Sequence, residues 1–274
     1  MQPLRPIPEG RSRAGHPAPE RGAGAADDPL GVTELEGAGP APVLLVCEHA
    51  SNAFPAQFGS LGLTEQDRGS HIAWDLGALD LARALAGELR APLISARVSR
   101  LLFDLNRPPD APDAIAARSE ATDVPGNTGL TAPERQARVD AIHAPWVAAM
   151  AGAIDAVRPA ALVSVHSFTP VFAGRPRTTK IGIIHDRDAR LASAVLARSG
   201  AQGWERNRPY GPADGVTHTL RTVAQPHGLL SLMVEVRNDL LHSAAAIDGV
   251  ADALARVLVP SLEACGVPMR DRAA

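Results

Sequence analysis

Cysteine is nearly missing from this sequence: Cys47 and Cys265 are the only two in 274 residues. Two thiols are too few for a disulfide framework, and Cys47 lies inside an apolar run where a reduced, buried thiol is usual. A cross-linked secreted scaffold is therefore excluded, and a reducing, cytoplasmic setting is expected. An excess of one charge is missing too. The 27 Lys and Arg against 30 Asp and Glu leave a formal net charge of −3, with no basic block or stripe to neutralise a run of phosphates. Nucleic acid is not an expected partner. No apolar run approaches the roughly 20 residues that span a bilayer, and the N-terminus has no apolar signal-peptide core, so no membrane is expected either. There is no GxGxxG, P-loop, GxSxG elbow or CxxC, which argues against dinucleotide, nucleotide, serine-hydrolase and thiol-redox chemistry.

What is present begins with a change of composition. Residues 1–40 are rich in Pro, Gly, Arg and acids, as in "RPIPEGRSRAGHPAPERGAGAADDP", and such a stretch cannot bury enough apolar surface to offset chain entropy. A disordered tail is expected there, followed by one α/β domain over residues 41–270. "VLLVC" (43–47) is a continuous apolar run of the kind found in strands buried on both faces. "PLISARV" (92–98), "ALVSV" (161–165), "KIGIIH" (180–185) and "LLSLMVEV" (229–236) repeat the pattern. Helical periodicity alternates with these runs at 75–89, 131–157, 188–199 and 246–265. The second of these opens on a Thr131/Glu134 capping box, and Pro145 should bend or break it. The predicted class is α/β: a single domain with a mostly parallel or mixed central sheet, flanked by helices on both faces. The loop at 106–130 is long and rich in Pro, Asp and Gly, as functional loops often are.

In open α/β sheets ligands bind beyond the carboxyl ends of the strands. The apolar runs end by delivering Glu48 and His49; Asp104, Asn106 and Arg107; His166 and Ser167; His185 and Asp186; and Glu235, Arg237, Asn238 and Asp239. Neutral imidazole is the commonest zinc ligand, and catalytic zinc sites keep one position open for water. His49 and His166 each follow a strand directly, so the pair is the first candidate metal site. Glu235 interrupts an apolar strand, where an unpaired carboxylate is costly. Either it pairs with Arg237, two residues on, or it serves as a general base beside a metal; the two roles are compatible. Arginine's planar fork suits a carboxylate. Arg107, next to Asn106 and the long loop, is preferred as such a ligand, whereas Arg100 also reads as half of a surface salt bridge with Asp104. His71 and Asp75, four apart, are either a metal ligand with its orienting partner or an ordinary helix N-terminus with an acid in its first turn. His218, in the Gly-flanked loop "DGVTHTL", ranks above His185 and His227 as a residue able to reach a ligand.

In order, "CEHASN", "HIAWDLGA", "SRLLFDLNR", "HSFTP" and "EVRND" resemble the N-formylglutamate amidohydrolase family, metal-dependent enzymes that release formate and glutamate late in histidine degradation. The resemblance covers residues 43–241. A more distant similarity, to the zinc carboxypeptidases, implies a zinc-carboxypeptidase-like (phosphorylase/hydrolase-like) fold. It also implies His49 and His166 as ligands of a divalent metal, zinc by preference, Asn106 and Arg107 as carboxylate binders, and Glu235 as the base; Arg100, Arg237 and His218 are further substrate-binding candidates from the residues themselves. The third ligand stays open between Glu48, Asn52 and Asp75, because carboxypeptidases have a glutamate three residues after the first histidine and this chain has Asn52. The implied partner is a small carboxylate-bearing N-acyl amino acid. The alternative is a non-catalytic small-molecule or metal-binding protein on the same scaffold.

Overall fold

All five apolar runs become strands of one seven-stranded sheet, in a computed structural model that describes residues 28–37, 40–200 and 203–269. The strands are Thr33–Glu36 (β1), Val43–Cys47 (β2), Leu93–Ala96 (β3), Ala161–Phe168 (β4), Ile181–Ile184 (β5), Trp204–Arg206 (β6) and Leu230–Arg237 (β7). Their order across the sheet is β1-β3-β2-β4-β7-β5-β6. The four central strands β3, β2, β4 and β7 are parallel, β1 is antiparallel to β3, and β5 is antiparallel to β7. The class is α/β with a mixed sheet.

Residues 1–27, most of the expected tail, lie outside the described residues. The expectation of a structureless segment as far as residue 40 is corrected at its far end. The Asp28 carboxylate accepts hydrogen bonds from the Val32 and Thr33 amides at 2.8 and 3.1 Å, turning the chain into β1, which pairs with β3. A composition averaged over forty residues hides a four-residue strand whose partner is a backbone edge elsewhere.

The helices are Glu65–Gly69 (α1), Ala78–Leu89 (α2), Ala132–Arg138 (α3), Ala144–Val157 (α4), Arg190–Arg198 (α5) and Ala244–Ala264 (α6). Successive strand residues face opposite ways, so the core has two layers. Val43, Leu45, Val163, Val234 and Val236 pack under α2, α5 and α6. Leu44, Val46, Leu162 and Met233 face α4 and the segment 98–124. No helix among the described residues is long and apolar enough to cross a membrane.

Two local differences from the predicted helices bear on the site. The Thr131–Glu134 capping box forms, and the bend expected at Pro145 is a widened π-helical turn at Val139–His143, which places the proline in the first turn of α4. There its missing N–H leaves no interior helical carbonyl unpaired. The helix expected from Asp75 starts instead at Ala78, because Gly77 adopts φ +77° and an added Cβ would lie 2.8 Å from Leu241 Cβ. Asp75 is thereby free of the helix and turns toward the sheet edge.

Candidate metal centre and active site

The two-residue period of the strands decides which side chains meet. On β4, Leu162, Ser164 and His166 share a face, and on β7, Met233 and Glu235 do. Glu235 is the register partner of His166 across the β4–β7 pair. Glu48 and His49 leave β2 at the same edge, because β2 runs parallel to β4. Asp75 arrives from a turn rather than a strand: its amide donates to the His49 carbonyl at 3.0 Å, which ties the two backbones together.

One carboxylate oxygen lies between the two imidazoles. Asp75 Oδ2 is 2.8 Å from His166 Nδ1 and 3.4 Å from His49 Nδ1. The other ring nitrogen of each histidine faces a second acid, with His49 Nε2 at 2.8 Å from Asp104 Oδ1 and His166 Nε2 at 3.1 Å from Glu48 Oε2. Glu48 Oε2 also accepts from the Ser164 hydroxyl at 2.8 Å. Arg100 donates to Asp75 Oδ1 at 3.2 Å and to Asp104 Oδ2 at 2.5 Å. Both histidines and all three acids are buried.

Among the described residues, His49, Asp75 and His166 form a group of ligand atoms all within 4.8 Å of one another. Ligands about 2.1 Å from a tetrahedral ion stand about 3.4 Å apart, the separation of Asp75 Oδ2 from His49 Nδ1. His49 Nδ1, His166 Nε2, Glu48 Oε1 and Glu235 Oε2 are buried without a hydrogen-bond partner, a cluster of unsatisfied atoms rarely kept without a job. Two imidazoles and a carboxylate, each imidazole backed by a further acid, make a donor set that can hold a divalent metal. Asp75 belongs to the group by spacing and hydrogen-bonds His166 Nδ1, while Glu48 stands 3.1 Å from the unpartnered His166 Nε2, so both carboxylates lie beside the imidazoles.

The electrostatics follow from burial and pairing. Burial and the Arg100 charge oppose protonation of His49, yet Asp104 and Asp75 hold its pKa above the ordinary imidazole value. Burial likewise opposes protonation of His166, but Glu48 and Asp75 raise it well above that value. Burial alone would push the Glu48 carboxyl up, and the neighbouring His166 brings it down to about 2. Asp75 and Asp104 are also lowered, against burial, by His49 and His166 for the first and by Arg100 and His49 for the second. Glu235 goes the other way. Burial, reinforced by the Asp75 charge and opposed by His166, His49 and Arg100, raises it to about 7.

The remaining expected residues are placed as follows. Asn52 donates its side-chain amide to the Arg68 carbonyl at 2.9 Å. His71 pairs with Glu120 at 3.1 Å, in a segment of turns rather than a helix with Asp75. Asn106 spans the chain, donating to the Val216 carbonyl at 2.6 Å and accepting from the Thr219 amide at 3.0 Å, so it clamps the loop that carries His218. Arg107 donates to the Asp214 carbonyl at 2.5 Å and pairs with Asp113 at 3.2 Å. Arg237 pairs with Asp239 rather than Glu235. His218 is half-buried beside His143, ring centroids 6.4 Å apart, and burial and the His143 and Arg221 charges lower it to about 4. Asp104 is read from the sequence as a residue delivered after the second apolar run and as one half of a surface salt bridge with Arg100, not as a partner of His49. The signal that reveals more is its place in "LLFDL": a carboxylate inside an apolar run needs partners, the reasoning that singled out Glu235.

The model of the N-formylglutamate amidohydrolase family matches residues 41–242 of the chain. The crystal structure of gene product Atu2144 from Agrobacterium tumefaciens is 44% identical to it over 86% of this chain and 96% of that chain, with a TM-score of 0.81. The crystal structure of N-formylglutamate amidohydrolase from Ralstonia eutropha JMP134 shares the fold at 22% identity and a TM-score of 0.57, over 85% of this chain and 97% of that one. No curated protein matches.

Proposed function

Because the chain belongs to the N-formylglutamate amidohydrolase family, we propose that it is a metal-dependent hydrolase of the amide bond of an N-formyl or N-acyl amino acid. N-formylglutamate is the leading substrate, with formate and glutamate as products, and a cytoplasmic step of histidine degradation is the setting that this substrate implies. The observation that carries the reading is the meeting of His49, Asp75 and His166 with Glu235, whose buried carboxyl is poised at about 7.

His49, Asp75 and His166 would hold a divalent metal, zinc by donor type, with Asp104 and Glu48 keeping the imidazoles oriented. Bound there, the metal would supply Lewis acidity toward the acyl oxygen and make a water easier to deprotonate. Glu235 takes a proton from the attacking water as its oxygen bonds to the acyl carbon. The C–N bond then breaks, and Glu235 passes that proton to the departing amine nitrogen. A carboxyl that burial raises above the ordinary carboxylate value accepts the proton more readily than a free one and is still acidic enough to return it. Arg107, with His218 on the loop that Asn106 clamps, orients one substrate carboxylate, so that the amide is presented to Glu235 rather than found by diffusion.

The test is product release from a panel of N-formyl and N-acyl amino acids, with chelator-treated protein before and after adding divalent metal. Metal-dependent release of stoichiometric formate from N-formylglutamate is expected. Release from no member of the panel would refute the reading.

A further inference from the structure

The arginines named so far are held by protein oxygens: Arg100 by Asp75 and Asp104, Arg107 by Asp113 and the Asp214 carbonyl, Arg237 by Asp239 and the Arg177 carbonyl. Arg177 is held in another way. Its guanidinium lies over the rings of Phe172, Tyr210 and Phe168, at 4.5, 4.8 and 5.4 Å from their centroids. It donates to the Tyr210 hydroxyl at 2.7 Å and the Thr169 carbonyl at 3.3 Å. Among the described residues no carboxylate pairs with it, so its charge is oriented by aromatic faces and neutral oxygens alone.

The fold places this arginine one step out from the proposed chemistry. Phe168 lies two residues beyond His166 on the same face of β4, about 7 Å along the strand. Arg237 is its register partner on β7, and donates to the Arg177 carbonyl at 2.9 Å, fixing the backbone there. Tyr210 closes the other side. Gly182 on β5 is the register partner of Glu235, and a Cβ there would lie 1.8 Å from the Arg208 carbonyl oxygen. Without that Cβ, the segment leading to Tyr210 lies directly on the sheet. The phenol feels the site: burial and the Glu235 charge raise its pKa, and Arg177 and Arg100 oppose them.

We propose that Arg177, with the Tyr210 hydroxyl, is the specificity-determining ligand of the distal carboxylate of the substrate's amino acid, so that the site selects acidic side chains. The inference rests on the amide-hydrolase reading above and names the amino-acid class. A planar guanidinium stacked on rings is already oriented, and it loses no protein carboxylate when it takes one from a substrate. Arg100 would have to give up Asp75 or Asp104 to do the same.

The experiment compares wild type, Arg177→Met and Arg177→Lys on N-formylglutamate and on N-formylglutamine, which has the same size without the distal charge. Arg177→Met is expected to lower kcat/KM for N-formylglutamate by about 10- to 100-fold, mainly through KM. N-formylglutamine turnover should stay within about twofold, and Arg177→Lys should recover part of the loss because charge returns without the fork. Equal losses on both substrates, or none on N-formylglutamate, would overturn the assignment. Calorimetric binding of N-acetylglutamate separates this proposal from the hydrolase reading. If wild type hydrolyses nothing but binds N-acetylglutamate in an Arg177-dependent way, the hydrolase reading falls and the arginine's role stands; binding that is absent, or equal in wild type and Arg177→Met, overturns the role.

Discussion

Replacing Asp104 by Asn tests whether the second acid behind His49 matters to the metal group. Asp104 accepts from His49 Nε2 at 2.8 Å, from Arg100 Nη2 at 2.5 Å and from the Asn106 amide at 3.0 Å. Asn keeps the shape and one acceptor, but removes the charge and turns an N–H toward a histidine or an arginine that also donates. Loss of an acid that orients a ligating histidine costs about 10- to 100-fold in metal affinity, or about 1.4–2.7 kcal/mol. Stability should fall less than the about 3–5 kcal/mol expected when a buried charge is stranded, because Arg100 keeps Asp75 and its side chain is 28% exposed; about 1–2 kcal/mol is the scale. Competition with a chromophoric chelator reads the metal affinity, and guanidinium unfolding of the metal-free protein reads the stability. A folded Asp104→Asn protein that binds zinc as tightly as wild type would refute the reasoning.

Glu235→Gln should leave metal affinity near wild type while lowering turnover by about 10²- to 10⁴-fold. Glu235 must be ionised to accept a proton, so wild-type kcat/KM should fall as pH drops through its ionisation, about 7 without metal and lower beside a bound cation. The variant's residual rate should lack that acid limb, and a variant that kept it would tie the limb to another group. Gly182→Ala forces a Cβ to 1.8 Å from the Arg208 carbonyl oxygen and should destabilise the fold by about 1–3 kcal/mol through overpacking. Chemical denaturation reading wild-type stability would mean that the segment carrying Tyr210 does not rest on β5.

Much of the fold was legible because buried strands leave a local record: five apolar runs that alternate with helical segments and so imply an α/β sheet, though not its strand order. β1 and β6 were not legible, since edge strands of three or four residues borrow their regularity from a neighbour's backbone. At the site the legible part was whatever ends a strand. His49 and His166 were singled out for that reason, and Glu235 as a carboxylate inside an apolar run; the structure brings the three together, with β4 running on past His166 to Phe168. Asp75 was harder, because its position depends on Gly77 delaying the start of the helix to Ala78 and on an amide bonded to the His49 carbonyl; a helical reading pairs it with His71 instead. Arg177 left no local sign. It follows the short hairpin of Val171–Phe172 and Arg175–Pro176, and what distinguishes it is the closing of Phe168, Phe172 and the distant Tyr210 on one guanidinium.

The charge balance of the buried cluster gives a last prediction that does not depend on the substrate. Asp75, Asp104 and Glu48 hold three negative charges, all with lowered pKa values, and Arg100 supplies one positive charge. Burying two uncompensated charges is costly, so something must make up the difference. In the metal-free protein the two imidazoles do it, since both are raised above the ordinary histidine value. A divalent cation would supply the same two charges, but it requires neutral imidazoles. Where both raised histidines are still protonated, metal binding should therefore release about two protons per ion from the imidazoles. Calorimetric titration in buffers of different ionisation enthalpy measures that number directly. Release of clearly less than one proton would mean that the histidines are already neutral, and that the cluster is not balanced for a divalent ion in the way its geometry implies.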